Sequence, residues 1–396
     1  MNHPLESALQ SLQTLTVFYK LRTDPVVSRF ERMLAVEDLA SLLPAYADFA
    51  SALFAHTTCW SDYLLRAVSE LETFYLQKCA RHEPIEPELD RCLDEELRIL
   101  EQLSRIAPAT VQSSVRYGGY LPRWSVASHD FVRSYHERID NLSRYGYGVF
   151  AKHRAFFWKD GEPVPVEHPD PQRLSDLVGY EYQRSLIEKN TLALIEGRPA
   201  ANVLLYGDAG TGKSSTVKAL VNEYADRGLR LIELKKHQLH DIPQVLSRIA
   251  YNPLRFILFI DDLSFNGSDD NFTALKAVLE GSVAARPDNL VVYATSNRRH
   301  LVKETFSDRA GDEIHRNDTI QELNSLSDRF GLSVSFIRPD KQVYLDIVDK
   351  LAPQYGITLP QDELHIRAEA HAIARGGRSP RVAVQFIRSL AASLNQ

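Results

Sequence analysis

The sequence predicts an α/β protein, in which a mostly parallel sheet flanked by helices is preceded by a mostly helical domain and followed by a small helical lid. Three observations carry that prediction. Over the second half of the chain, short apolar runs (NVLLYG, LRLIEL, RFILFIDD, NLVVYATSN and LSVSFI) alternate with helix-length segments, the pattern of strands buried on both faces. From about residue 5 to 145 the apolar residues recur at helical spacing instead. Between the two textures lies LLYGDAGTGKSST, Leu204 to Thr216, where residues suited to a strand give way to residues suited to a helix across three glycines.

At 396 residues the chain exceeds one comfortable core. Its textures divide it into a helical domain over 1–144, a β-hairpin and proline-rich linker over 145–173, an α/β core over 174–338 and a helical lid over 339–396. In the first part, LDRCLDEELRILEQLSRIA places Leu89, Cys92, Leu93, Leu97, Leu100, Leu103 and Ile106 on one helical face, with Asp94/Arg98 and Glu101/Arg105 as i,i+4 pairs elsewhere. That stripe reads as core packing rather than a cofactor box. Pro44, Pro84, Pro87 and Pro108 read as punctuation between helices of ordinary length. In the second part, aromatic and valine residues flank Asp160-Gly161, a hairpin signal, and Pro163, Pro165, Pro169 and Pro171 follow, so the hairpin is expected as a connector.

Composition excludes several classes. A hydrophobic content of 44% with 25% charged residues is that of a folded globular chain. A net charge of −6 provides no global basic field for nucleic acid, so any such contact has to be local. Cys59, Cys79 and Cys92 show neither C-x-x-C spacing nor an even count, which argues against disulfides and a zinc site, and the 13 histidines form no H-E-x-x-H pattern. No basic n-region with an apolar run opens the chain, and no 18 consecutive apolar residues occur. The expectation is a cytoplasmic protein without a membrane span.

The chemistry begins at Gly207-x-x-x-x-Gly212-Lys213-Ser214, the Walker A pattern. The backbone of Gly207, Asp208, Ala209, Gly210, Thr211 and Gly212 can turn N–H groups on a phosphate chain, and Ser215 continues the loop into a helix whose N-terminus favours anions. Lys213 would reach the β- and γ-phosphates of ATP, and Ser214 would offer its hydroxyl to Mg²⁺. Asp261 ends a buried apolar run and suits the Walker B role of holding the same metal, while Asp262 follows where many such ATPases carry the glutamate that orients the attacking water. Asn297 ends a third strand and suits a water-positioning amide, the role called sensor 1. Arg329 precedes the last strand, where a permanent cation can serve a neighbouring subunit's phosphates, or be an ordinary surface arginine. In GGRSPRVAVQFIRSL, Arg381 follows Pro380 in the first turn of a helix and is favoured as sensor 2, with Arg378 as its rival.

These signals, in this order, resemble an AAA+ ATPase over roughly residues 174–396. The wording of LVGYEYQRSLIEKNT, NVLLYGDAGTGKSSTVKALVNEY, GLRLIEL, FIDDLSF, LKAVLEG, YATSNRRHL and LSDRFGL is similar to a bacterial family of AAA+ ATP-binding proteins catalogued as a domain of unknown function. The resemblance implies a five-stranded sheet of order 5-1-4-3-2, a helical lid and ATP bound between lid and sheet. DLVGYE matches the segment that lies along adenine, which makes Leu177, Val178 and Gly179 candidate base contacts. Helicase-loader and transposition-helper ATPases are similar in the core, and Asp262 departs from the glutamate commonest there.

The expected activity is Mg-dependent ATP hydrolysis by a homo-oligomer assembled through the Arg329 edge and acting on an unidentified protein client. A nucleotide-gated module that binds DNA or a helicase is the alternative, for which Arg298, Arg299 and His300 form a local basic cluster. A small-molecule kinase is disfavoured, because a monomeric kinase needs neither the SPR turn nor Arg329.

Overall fold

The computed structural model describes residues 4–36, 38–113, 117, 119–264, 275, 276, 279, 287–297 and 329–394. The chain forms two compact units, Met1–Lys152 with Tyr251–Pro253, and His153–Ala250 with Leu254–Gln396.

The first unit is built from helices. Its central helix, Pro87–Ser104, starts on Pro87 and buries Leu93, Leu97, Leu100 and Leu103, while Leu89 and Cys92 pack partly buried against the same core. Asp94/Arg98 and Glu101/Arg105 pair as their spacing requires. Glu96 lies on the buried side, and its carboxylate accepts the backbone N–H groups of Thr16 (2.5 Å), Val17 (3.1 Å) and Phe18 (3.0 Å), which satisfies an otherwise costly buried acid. Trp60 anchors the aromatic core, 4.5 Å from Phe30 and 5.2 Å from Phe49 between ring centres.

Two expectations are corrected in this region. Pro44 sits inside the helix Leu39–Phe54 rather than ending one, so that helix forgoes a backbone hydrogen bond near its start and continues. The segment expected as a linker from residue 145 is shared between the units. Tyr147 and the bond from Gly148 N to Glu70 O (2.8 Å) tie its first residues to the helical unit, and the hairpin belongs to the sheet.

The second unit holds one seven-stranded sheet: β1 Ala155–Lys159, β2 Glu162–Pro165, β3 Val203–Gly207, β4 Leu229–Leu234, β5 Arg255–Ile260, β6 Leu290–Ser296 and β7 Leu332–Phe336. Their order is β2-β1-β4-β5-β6-β3-β7. Among the described residues, β1 and β2 pair antiparallel and the other pairs are parallel. Numbered from β3 as the first, the last five strands run 5-1-4-3-2, as the resemblance implies. The hairpin turns at Asp160 and Gly161, both with positive φ. It is no free connector, because Phe156 and its neighbours pair with Ile232 on β4 and extend the sheet by two strands.

The inner strands are largely buried, β6 throughout and β5 from Phe256 onward. Parallel register brings their carboxyl ends to one edge. Leu204 on β3, Ala294 on β6 and Ile260 on β5 stand side by side, so the residues that follow each strand open at neighbouring positions. Three helices, Lys341–Leu351, Gln361–Ala374 and Pro380–Leu394, pack Tyr344, Ile347, Val348, Leu364, Phe386 and Ile387 into a separate small core as the lid. Asp340 caps the first by accepting Val343 N (2.9 Å), and Pro380 opens the last.

Candidate functional site

The loop after β3 depends on its first glycine for a close approach. Gly207 has φ 128°, and a Cβ there would lie 2.3 Å from the Phe336 carbonyl oxygen on β7. The helix Lys213–Tyr224 follows at once, so its free N–H groups open beside the loop. Lys213 is buried and folds back over the loop. Its Nζ donates to Gly207 O (2.7 Å), Asp208 O (2.8 Å) and Asn297 Oδ1 (3.3 Å). Burial pushes its ammonium below the ordinary lysine range, while Asp208, Asp261 and Asp262 pull it back up.

Opposite stand the two acids. Asp261 Oδ1 accepts the hydroxyls of Ser214 (2.6 Å) and Thr295 (2.5 Å). Asp262 takes a left-handed backbone, φ 53°; its N–H donates to Thr295 Oγ1 (2.9 Å) and its Oδ1 accepts Asn297 Nδ2 (2.8 Å). Lys213, Ser214, Asp261, Asp262 and Asn297 therefore form one connected polar group, assembled from two strand ends and one helix.

These residues line a cavity of about 570 Å³. Ala209, Gly210, Thr211, Gly212 and Ser215 form its loop side, and Leu177, Val178, Ile347, Leu351 and Val384 give it an apolar side. A glycine-loop end rich in backbone donors, facing an apolar slot of this size, would suit a nucleotide with its base in the slot. The lid leans on the loop through Arg381, whose N–H donates to Gly210 O (3.2 Å) and whose side chain reaches the cavity. Arg378 is engaged elsewhere, by a two-pronged pair with Glu369 at 2.9 and 2.6 Å.

Three candidates stand behind the cavity wall. Gly207 and Asp208 contribute carbonyls to Lys213, and the Asp208 carboxylate turns to Arg338, accepting its backbone N–H at 2.9 Å with the guanidinium at 3.5 Å. Gly179 is a turn residue: φ is 80°, its carbonyl accepts from Arg184, and a Cβ would meet Ile347 at 2.9 Å. Its positive φ and its close approach to the lid account for the glycine. Arg329 is half-buried before β7, whose pairing sets Leu332 beside Val203 and Phe336 beside Gly207. It thus lies at the far end of β7, beyond roughly 13 Å of strand, and outside its own chain's cavity. Arg298, Arg299 and His300 lie outside the described residues.

Sequence reasoning missed Thr295, Arg184, Gln385 and Arg388, which also line the cavity. Thr295 carried a legible signal, because it precedes by two residues Asn297, already a candidate at the end of the same strand-like run. Gln385 and Arg388 follow Arg381 at i+4 and i+7 on the last helix, also legible. Arg184, its side chain only 12% exposed, carried none.

Two neighbouring side chains could hold a hard cation together with other ligands. Ser214 Oγ and the Asp261 carboxylate are oxygen donors in contact at the glycine-loop end, the donor type and number with which proteins hold Mg²⁺ alongside phosphates and water. Among the described residues no group of three or more His, Cys, Asp or Glu is disposed to hold a metal alone, and no helix is long and apolar enough to cross a membrane.

Comparison with known proteins gives one family match: the model described as Protein of unknown function (DUF815) matches residues 151–394. No curated protein matches. Among solved structures, the Thermotoga maritima RuvB Holliday junction branch migration motor is 14% identical with a TM-score of 0.33, covering 56% of this chain and 72% of that one. A mutant of the same RuvB is 16% identical with a TM-score of 0.38, covering 57% and 66%. AMPPCP-bound DnaA from Aquifex aeolicus is 15% identical with a TM-score of 0.39, also covering 57% and 66%. The chain thus spans just under two thirds of the length of the last two.

Proposed function

This chain belongs to the family described as Protein of unknown function (DUF815), and from its phosphate loop upward we propose that it binds ATP, hydrolyses it with Mg²⁺ and couples the cycle to a conformational change acting on a protein partner. Its second unit has the P-loop AAA+ fold: the parallel order β7-β3-β6-β5-β4, the glycine loop between β3 and a helix, and a helical lid. The observation that carries the functional reading is the convergence on one cavity of that loop, Lys213 and the Ser214–Asp261 pair at 2.6 Å.

In this reading Lys213 exchanges the carbonyls of Gly207 and Asp208 for the β- and γ-phosphates of ATP, an exchange favoured because an anion repays the desolvation of its ammonium. Ser214 and Asp261 would hold Mg²⁺, which when bound would neutralise charge on the phosphate oxygens. Asn297 and Asp262, already bonded to each other, orient the water that attacks the γ-phosphorus; the water's proton passes toward the Asp262 carboxylate and the bond to the bridging oxygen breaks to release ADP and phosphate. Leu177 and Val178 hold the base against Ile347 and Leu351. Arg381 carries the γ-phosphate state to the lid, because its helix already rests on Gly210. Arg329, placed away from its own chain's cavity, acts on the site of a neighbouring copy in a homo-oligomer.

The test is calorimetric titration of MgATP into the full chain, with phosphate release measured alongside. Binding with slow turnover is expected. In Asp262→Asn, binding should persist and turnover should fall at least about tenfold, since the carboxylate base is removed while a hydrogen-bonding amide of the same size remains. No heat from the folded wild-type protein would overturn the reading.

A further inference from the structure

We propose that Thr295 is the positioning residue for the two acids, and that its hydroxyl decides which oxygen of Asp261 is offered to the metal. The inference rests on the ATPase reading above. Thr295 is 2% exposed and sits near the end of β6, where register sets it level with the position just after β5. Its hydroxyl has one proton and two lone pairs, and two partners use them: the proton goes to Asp261 Oδ1 at 2.5 Å, and a lone pair accepts the Asp262 N–H at 2.9 Å.

Two consequences follow from that single oxygen. Ser214 donates to the same Oδ1 at 2.6 Å, so Oδ1 carries two hydroxyl protons and Oδ2 becomes the oxygen available to a cation. Meanwhile the bond from Asp262 N holds a non-glycine residue at φ 53°, a backbone state that persists only where its surroundings impose it. That state separates the two neighbouring acids, one facing Ser214 and the other facing Asn297. β-branching keeps the Thr295 side chain in few rotamers, so the hydroxyl is held in place rather than recruited. Thr295, near the end of β6, and Asn297, just beyond it, thereby orient Asp261 and Asp262 respectively.

A role confined to holding β5 against β6 would affect folding and nucleotide binding alike, with or without metal. A role in aiming the acids would affect what depends on Mg²⁺ and leave metal-free binding alone. The experiment compares wild type with Thr295→Val, which keeps the shape and removes the hydroxyl, and Thr295→Ser, which restores it. Melting temperature, ATP binding by calorimetry in EDTA and in Mg²⁺, the Mg²⁺ concentration for half-maximal binding, and phosphate release are measured on the full chain.

In Thr295→Val, binding in EDTA should match wild type, half-saturating Mg²⁺ should rise several-fold, and turnover should fall at least about tenfold with little change in KM; Thr295→Ser should recover both. Thr295→Ala provides the same comparison with less bulk if the valine variant does not fold. Wild-type Mg²⁺ dependence and turnover in Thr295→Val or Thr295→Ala, equal loss with and without metal, or no rescue by serine would overturn the assignment while leaving the ATPase reading intact. Absence of ATP binding by the wild type would overturn both.

Discussion

Replacing Gly207 with alanine tests the geometry on which the phosphate loop rests, because the cost can be worked from the structure. The new Cβ would lie 2.3 Å from O, 2.6 Å from C and 3.0 Å from N of Phe336. An ordinary carbon–oxygen contact is about 3.3 Å, so β7 must retreat by about 1 Å. That movement stretches the bond from Asp208 N to Phe336 O, now 3.0 Å, beyond useful range. Losing it costs about 1 kcal/mol, and holding alanine at φ 128°, a region nearly reserved for glycine, costs about 1–3 kcal/mol more. With some loosening around the fully buried Phe336 the total is about 3–5 kcal/mol. In a unit of this size each kcal/mol lowers Tm by about 2–4 °C, so the endotherm of the second unit should fall by roughly 10 °C. Gly212→Ala is the control: φ is 95° and nothing lies within 4 Å of its Cβ, so only backbone strain of about 1–2 kcal/mol applies. Differential scanning calorimetry on both variants, with hydrogen exchange across β3 and β7, reads the difference. A Gly207→Ala protein melting within 2 °C or so of wild type, or one less damaged than Gly212→Ala, would refute the reasoning.

Other predictions concern charge and assembly. Lys213 has its pKa lowered by burial, so below its folded value it opposes folding, and the penalty fades as pH rises through that value toward the unfolded 10.5. The stability advantage of Lys213→Met over wild type should therefore shrink between neutral pH and 10.5 in urea melts; a constant or growing gap contradicts this sign. Arg381→Ala should weaken ATP binding roughly tenfold in calorimetry, whereas Arg378→Ala, which breaks only the pair with Glu369, should leave affinity unchanged. Equal losses in the two would contradict the assignment. For Arg329→Ala, ATP affinity should persist while specific activity no longer rises with protein concentration; activity independent of concentration in the wild type would remove the role of a neighbouring copy.

How much was legible from the chain varies by element. The Walker A pattern could be read because it is local: its glycines, lysine and serine are contiguous in sequence. The strand-end acids and Asn297 were also legible, since a buried parallel strand must end at a sheet edge and a polar residue there is exposed to whatever binds. The hairpin turn was marked by Asp160-Gly161, but its docking beside β4 was not, because pairing between edges separated by some 70 residues depends on which backbone groups remain unpaired. Gly179 shows the converse: its glycine was noticed, yet what demands it is Ile347 of the lid, far away in the chain.

The sequence by itself determined the elements and the residues that punctuate them: a glycine loop between a strand and a helix, acids and an amide at strand ends, and a helical tail. Those follow from periodicity and from residues acting within a few positions of one another. Only the tertiary structure decided which side chains meet. Register between β5 and β6 puts Asp261 beside Thr295, the packing of the last helix on Gly210 sends Arg381 to the cavity, and Glu369 engages Arg378. Register and helix docking are set by the whole buried surface at once, so no stretch of sequence read alone contains them.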